Sequence, residues 1–203
     1  MTAKEALQTL LKSYMRYYNV KDEGVEAPFA AEAEFVSRDV QYFLVKSAKL
    51  GEAQSHEYVY FAAEEHLTLQ RAKELDEAAW TRGMSRVKPG PNHRNSDVHL
   101  VVLAEKMDDD AADFLKKLRR YESYRHTFWG WSHYRVIALE TSSGRLTCNR
   151  MGQILKKLFG NINLLSKRRV MRNDCYSDHS RCNRPAGHRL PDLWFLAGKG
   201  VGR

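Results

Sequence analysis

Val98-His99-Leu100-Val101-Val102-Leu103-Ala104 is the stretch on which the reading of this chain turns. It is almost continuously apolar, whereas a strand with one wet face alternates polar and apolar residues. The run therefore predicts a central strand covered on both faces, at the middle of a sheet that carries helices.

The flanks support this. Upstream, Thr68 can cap a helix whose inner face is Leu69, Ala72, Leu75 and Ala79 and which ends at Gly83, a residue suited to a left-handed C-terminal position. A breaker loop, Lys88 to Asn95, leads into the strand. Downstream, Asp108, Asp109 and Asp110 open a helix that Lys116, Lys117, Arg119 and Arg120 close, the charge order that complements a helix dipole. Its buried face is expected to be Ala111, Phe114, Leu115, Leu118 and Tyr121.

Further out, Thr2-Ala3-Lys4-Glu5 reads as a capping box ahead of a helix over about 3–18, with Leu7, Leu10, Leu11, Tyr14 and Tyr18 at helical spacing. Residues 33–37, 40–50 and 56–63 read as strands, the last two joined as a hairpin by a polar loop at Gly51 to Ser55. Residues 133–140 and 145–148 form a second hairpin around Ser142-Ser143-Gly144. Asn149 can then cap a last helix carrying Met151, Ile154, Leu155 and Leu158. The expected order is αβββαβαββα, an α+β class with a mixed sheet and packed helices, ending near residue 163.

The chain resembles a family of small, uncharacterised bacterial proteins, a domain of unknown function. The resemblance rests on Glu57-Tyr58-Val59-Tyr60, His66-Leu67-Thr68, Gly83, Arg86-Val87-Lys88-Pro89 with His93, Gly130-Trp131, and Ser143-Gly144-Arg145 with Asn149-Arg150-Met151-Gly152. It covers about residues 5–163 and implies no activity. Gly152-Gln153 departs from the Gly-Arg expected there, and nothing in the resemblance matches the last 38 residues.

Charge divides the chain in the same place. The whole carries 33 Lys+Arg against 25 Asp+Glu, net +8 with a pI near 9.4, which invites a nucleic-acid reading. Residues 166–203 hold nine basic and three acidic side chains, net +6, and leave residues 1–165 at +2. The domain is therefore expected over 1–165 with an irregular, basic tail over 166–203, and nucleic-acid binding must be argued from a local patch or from that tail. The N-terminus lacks the pattern of a signal peptide, no run approaches the roughly 20 apolar residues of a membrane span, and three cysteines are too few for a disulfide framework. These features predict a cytoplasmic protein with no membrane partner.

Candidate chemistry is local. Tyr121 to Arg135 interleaves aromatic and basic side chains, which suits base stacking beside phosphate neutralisation, although Phe128, Trp129 and Trp131 can equally plug a helix–strand junction. His93 and Arg94 stand in the breaker loop ahead of the central strand. Asn149 and Arg150 open the last helix, where free amides make an anion site. His93, Arg94, Trp131, Asn149 and Arg150 are thus the candidate ligand- or anion-binding residues. Cys175, His179, Cys182 and His188 match no common zinc spacing, no phosphate-loop or dinucleotide motif occurs, and no metal or cofactor is expected. A metal-dependent nuclease would want two carboxylates and a lysine on adjacent strands; Glu57, Asp97 and Lys46 lie on strands, but no compact acid-x-Lys signature joins them. The leading expectation is a non-catalytic binding or regulatory domain. The alternative is a nucleic-acid-associated protein, including a divergent nuclease.

Overall fold

The computed structural model describes residues 1–43 and 48–159, with side chains described outside 38–52. Helix α1 (Ala3–Tyr14) opens with the expected capping box: the Glu5 amide donates to the Thr2 hydroxyl, and the Thr2 amide donates to the Glu5 carboxylate. There follow β1 (Asn19–Lys21), β2 (Ala31–Phe43), β3 (Ala48–Leu67), α2 (Leu69–Arg86), β4 (His93–Met107), α3 (Asp109–Lys117), β5 (Tyr121–Ser123), β6 (Trp131–Glu140), β7 (Leu146–Cys148) and a 3-10 segment, Met151–Leu155. The fold is α+β around one mixed sheet, in the order β1-β2-β3-β4-β6-β5, with β7 also paired to β6.

The strands β1, β2 and β3 pair antiparallel. The strands β3, β4 and β6 run parallel, so the chain must cross back between them, which α2 and α3 do. The apolar run predicted as the middle of the sheet is the middle: β4 lies between β3 and β6, and Leu100 and Val101, on opposite faces, are both fully buried. On one face Tyr58, Tyr60, Val98, Leu100, Tyr134 and Val136 pack under α2 and α3. On the other, Val59, Phe61, Val101, Leu103, Ile137 and Leu139 pack under Leu7, Leu10 and Leu11 of α1 together with Phe159.

Several local expectations are corrected. The segments 33–37 and 40–50 do not form two strands: β2 runs unbroken through 31–43, and the expected loop Gly51 to Ser55 is part of β3. Cross-strand pairing overrides the polar composition, since Ser37 faces Ser55 and Gln41 faces Gly51 along one continuous ladder. The third strand ahead of α2 is instead the short β1, and β5 adds one that the pattern missed, so the order αβββαβαββα becomes αβββαβαβββα, with the 3-10 segment leading into the expected last helix, of which residues 156–159 are described. Helix α1 stops at Tyr14 rather than near 18. Tyr121, expected on a helix face, lies in β5 and is 53% exposed. Met151 and Ile154, expected on the last helix, lie in the 3-10 segment ahead of it and are exposed.

Gly83 lies inside α2, not at its end. A Cβ there would meet Val98 at 2.5 Å, so the glycine serves close helix–sheet approach rather than a left-handed turn. No helix among the described residues is long and apolar enough to cross a membrane. The expected tail, with Cys175, His179, Cys182 and His188, lies outside the described residues, as does Lys46.

Candidate functional site

Strand alternation sends every second side chain of β3, β4 and β6 to the face beneath α1. On that face β3 reads Glu57, Val59, Phe61; β4 reads Asp97, His99, Val101, Leu103; β6 reads His133, Arg135, Ile137, Leu139. All three parallel strands turn from polar to apolar in the direction they run. Their apolar ends lie under α1, and their polar beginnings form one patch.

Register makes the patch a set of rows. Glu57 faces Asp97, Asp97 faces His133, and His133 faces Tyr121 of β5. In the row toward the strand starts, Ser55, Asn95, Trp131 and Ser123 stand side by side. In the row toward α1, His99 faces Arg135.

Arg135 holds the centre. Its Nη2 lies 2.6 Å from Asp97 Oδ2, and its Nη1 lies 3.9 Å from Glu57 Oε1. Nη1 also donates to His99 Nε2 at 3.2 Å. A guanidinium can only donate, so His99 must be the neutral tautomer with its proton on Nδ1, and that atom has no hydrogen-bond partner among the described residues. Burial, then the Arg135 charge, holds His99 well below the ordinary imidazole value. The Tyr18 hydroxyl, in the turn after α1, donates to Glu57, and the Asn95 amide donates to Asp97 at 3.3 Å. His133 Nδ1 stands 3.6 Å from Asp97 Oδ1, ion-pair rather than hydrogen-bond distance.

Both carboxyls are pushed above their ordinary range, chiefly by burial and against the pull of Arg135. Asp97 is almost sealed, with its side chain 4% exposed, whereas Glu57 at 25% and His133 at 28% reach the surface. Rings border the open side: Tyr121 lies 5.3 Å and Trp131 6.3 Å from the His133 ring. The arrangement can accept hydrogen bonds and present aromatic surface.

The five residues singled out from the sequence have different roles. Trp131 borders the patch and is half-buried. His93 is buried, with Nδ1 2.7 Å from the Trp129 carbonyl and Nε2 2.8 Å from the Ser96 hydroxyl. The register of β4 against β3 slips by one between Gln54 and Ser55, making Arg94 the extra residue of a bulge, and this lets His93 reach Ser96 three positions on. Arg94 is exposed at that bulge.

Asn149 lies on the far edge of β6, between β5, which pairs with residues 131–133, and β7, which pairs with 137–139. Its side chain accepts from the Val136 amide at 3.0 Å and donates to the Tyr134 carbonyl at 2.9 Å, filling the gap in the ladder. It also accepts from the Gly152 amide, the capping contact the sequence predicts. Arg150 is exposed beside it. The structure thus brings Trp131 to the polar patch, gives His93 and Asn149 backbone contacts elsewhere, and does not gather the five into one cleft.

Phe128, expected to plug the junction before β6, is 84% exposed instead. It follows Arg125, His126 and Thr127, three consecutive residues with positive φ of 47°, 52° and 72°, while Arg125 lies 4.1 Å over the Trp129 ring. Gly130 closes this loop at φ 78°, where a Cβ would meet the Arg94 carbonyl at 2.2 Å.

Glu57 and Asp97 were visible in the sequence as a carboxylate pair, but His133 and Arg135 were absorbed into an aromatic-basic run. The missing signal was parity: reading the three parallel strands every second residue yields Glu57-Val59-Phe61, Asp97-His99-Val101 and His133-Arg135-Ile137, each polar at its start and apolar at its end. Among the described residues no group of three or more His, Cys, Asp or Glu side chains is placed to hold a metal ion. Residues 2–161 match the family model of a domain of unknown function, DUF8052. No curated protein and no solved structure matches the chain.

Proposed function

Because the chain belongs to the DUF8052 family, a domain of unknown function, we propose its role from its own geometry: a non-catalytic binding domain that holds a small polar ligand on the part of the sheet face beyond α1. The observation that carries this reading is the row Glu57–Asp97–His133–Tyr121, aligned across four strands on a face whose stretch beneath Leu7, Leu10 and Leu11 of α1 is apolar. Placing two carboxyls and a guanidinium on a sheet face costs desolvation that aliphatic side chains would not, and strongly perturbed groups gathered at one place favour a functional reading over a structural one. Cysteine usage further favours the cytoplasm, and a bacterial source rests on the sequence resemblance.

Protein-observed NMR on the full chain against a panel of small polar molecules tests the reading. A ligand should shift the His133 and Trp131 ring signals and lose its effect in Glu57→Gln/Asp97→Asn. Ligands that leave both rings unmoved, whatever they bind elsewhere, overturn it.

One observation favours a second reading, a nucleic-acid-associated protein: the exposed Phe128 beside Arg125 and His126 suits base stacking next to phosphate. Such binding should weaken steeply with salt and fall in Phe128→Ala. The nuclease form has less support, since Arg135 occupies the space between Glu57 and Asp97 that a catalytic cation would need.

A further inference from the structure

The geometry points to an organic ammonium group as the ligand of this patch, drawn by its surplus carboxyl charge and met by the rings of Trp131 and Tyr121 at its border. The inference rests on the binding reading above and names its ligand class.

Charge balance is the first support. Among the described residues of the patch there are two carboxyls, Glu57 and Asp97, and one guanidinium, Arg135. Arg135 is committed to Asp97 at 2.6 Å, and its nearest approach to Glu57, 3.9 Å, is beyond hydrogen-bond distance. Glu57 is thus the surplus carboxyl; it accepts from the neutral Tyr18 hydroxyl, which does not compensate its charge. A second observation is independent of Glu57: Asp97 Oδ1, in a side chain 4% exposed, has no hydrogen-bond partner among the described residues. A half-buried negative charge in such surroundings is stabilised by a cation that brings its own partner charge.

Aromatic surface selects the kind of cation. Tyr121 shares the Glu57 row, Trp131 stands in the next, and both belong to the same face, flanking His133. Ring faces attract an ammonium most when water is excluded, and alkylated ammonium groups also gain from apolar contact. A bare metal ion would find no gathered ligand set among the described residues. An anion would meet the surplus carboxylate.

The same charge imbalance has another resolution, uptake of a proton by Glu57 or Asp97, with Arg135, His99, His133, Tyr14 and Tyr18 facing them. The experiment separates the two. Choline and its uncharged isostere 3,3-dimethyl-1-butanol are titrated into the full chain at constant pH and ionic strength, followed by NMR of the Trp131 indole and His133 ring. Saturable shifts with choline, about tenfold weaker or absent with the isostere, are expected. Glu57→Gln, which conserves shape, and Trp131→Phe, which shortens the aromatic surface, should each weaken choline binding while the melting transition stays cooperative. Equal binding of choline and the isostere, or choline binding unchanged in Glu57→Gln, overturns the inference. No saturable shift with choline or ethylammonium also overturns it. If an anionic or neutral polar probe moves the same two rings where choline does not, the ammonium class falls and the binding site stands. If no probe moves them, both fall.

Discussion

Asp97 and Arg135 form an ion pair across β4 and β6 at 2.6 Å, with the two side chains 4% and 17% exposed. Pairs this enclosed cost about as much to desolvate as they return, so their removal together and singly must differ. Asp97→Leu alone strands the guanidinium and should destabilise the fold by about 3–5 kcal/mol, whereas Asp97→Leu/Arg135→Met should recover most of that loss. Urea denaturation of the two single variants and the double variant measures the cycle. Additive losses would show that the pair is not coupled.

Asn149 makes four side-chain hydrogen bonds, to Val136, Tyr134, Leu118 and Gly152, and is 1% exposed. Asn149→Ala should cost on the order of 3 kcal/mol, because buried backbone groups of β6 lose their partners. Asn149→Asp keeps the acceptor for Val136 and Gly152 but cannot donate to the Leu118 and Tyr134 carbonyls, so it should not restore stability. Amide exchange should quicken at Val136 in both variants. A wild-type rate there would refute the bridging role.

Gly83→Ala places a methyl 2.5 Å from Val98 Cγ1, and overpacking of this kind costs about 1–3 kcal/mol. Adding Val98→Ala clears the collision, so the double variant should be less destabilised than the sum of the two single ones. Thermal melts of the three proteins decide it.

His99 is fully buried, and its imidazole is held well below its ordinary 6.5. A depressed histidine contributes stability that is present above that ordinary value and is lost as pH falls below it, because the unfolded chain takes up the proton more readily. Glu57 and Asp97 act oppositely: raised carboxyls favour folding most at acid pH and lose that contribution as pH rises above their ordinary values of 4.5 and 3.8. Stability measured between pH 4.5 and 6.5 should therefore respond in opposite senses to His99→Gln, which removes the loss on acidification, and to Glu57→Gln, which removes the loss on raising pH. Parallel pH profiles in the two variants would contradict the assignment.

What could be read from the sequence follows from what each signal depends on. The Val98 to Ala104 run announced a doubly covered central strand because burial on both faces leaves no room for polar residues, and the Thr2 and Thr68 caps were legible because their chemistry is local. The extent of β2 and β3 was not, since Ser37, Ser55 and Gly51 are weak strand formers whose backbones are recruited by a partner strand. Gly83 was misread for a similar reason: a glycine needed for contact with Val98 looks in sequence like one needed for a turn. Of the candidate site, Trp131 was found as an aromatic. His133 and Arg135 became meaningful only once parallel register set them beside Asp97, a relation that spans 36 or more positions and leaves no local trace.

The bridge that Asn149 makes along β6 has a consequence for how copies of this protein meet one another. A sheet edge with a long row of free amides and carbonyls is a template for another chain, and short or interrupted edges are a defence against it. Beyond β6 the border is divided among β5, one asparagine side chain and β7, and each of the two strands has only three residues. An incoming strand meets no continuous ladder on that side. The residue that completes the sheet also denies its outline to aggregation.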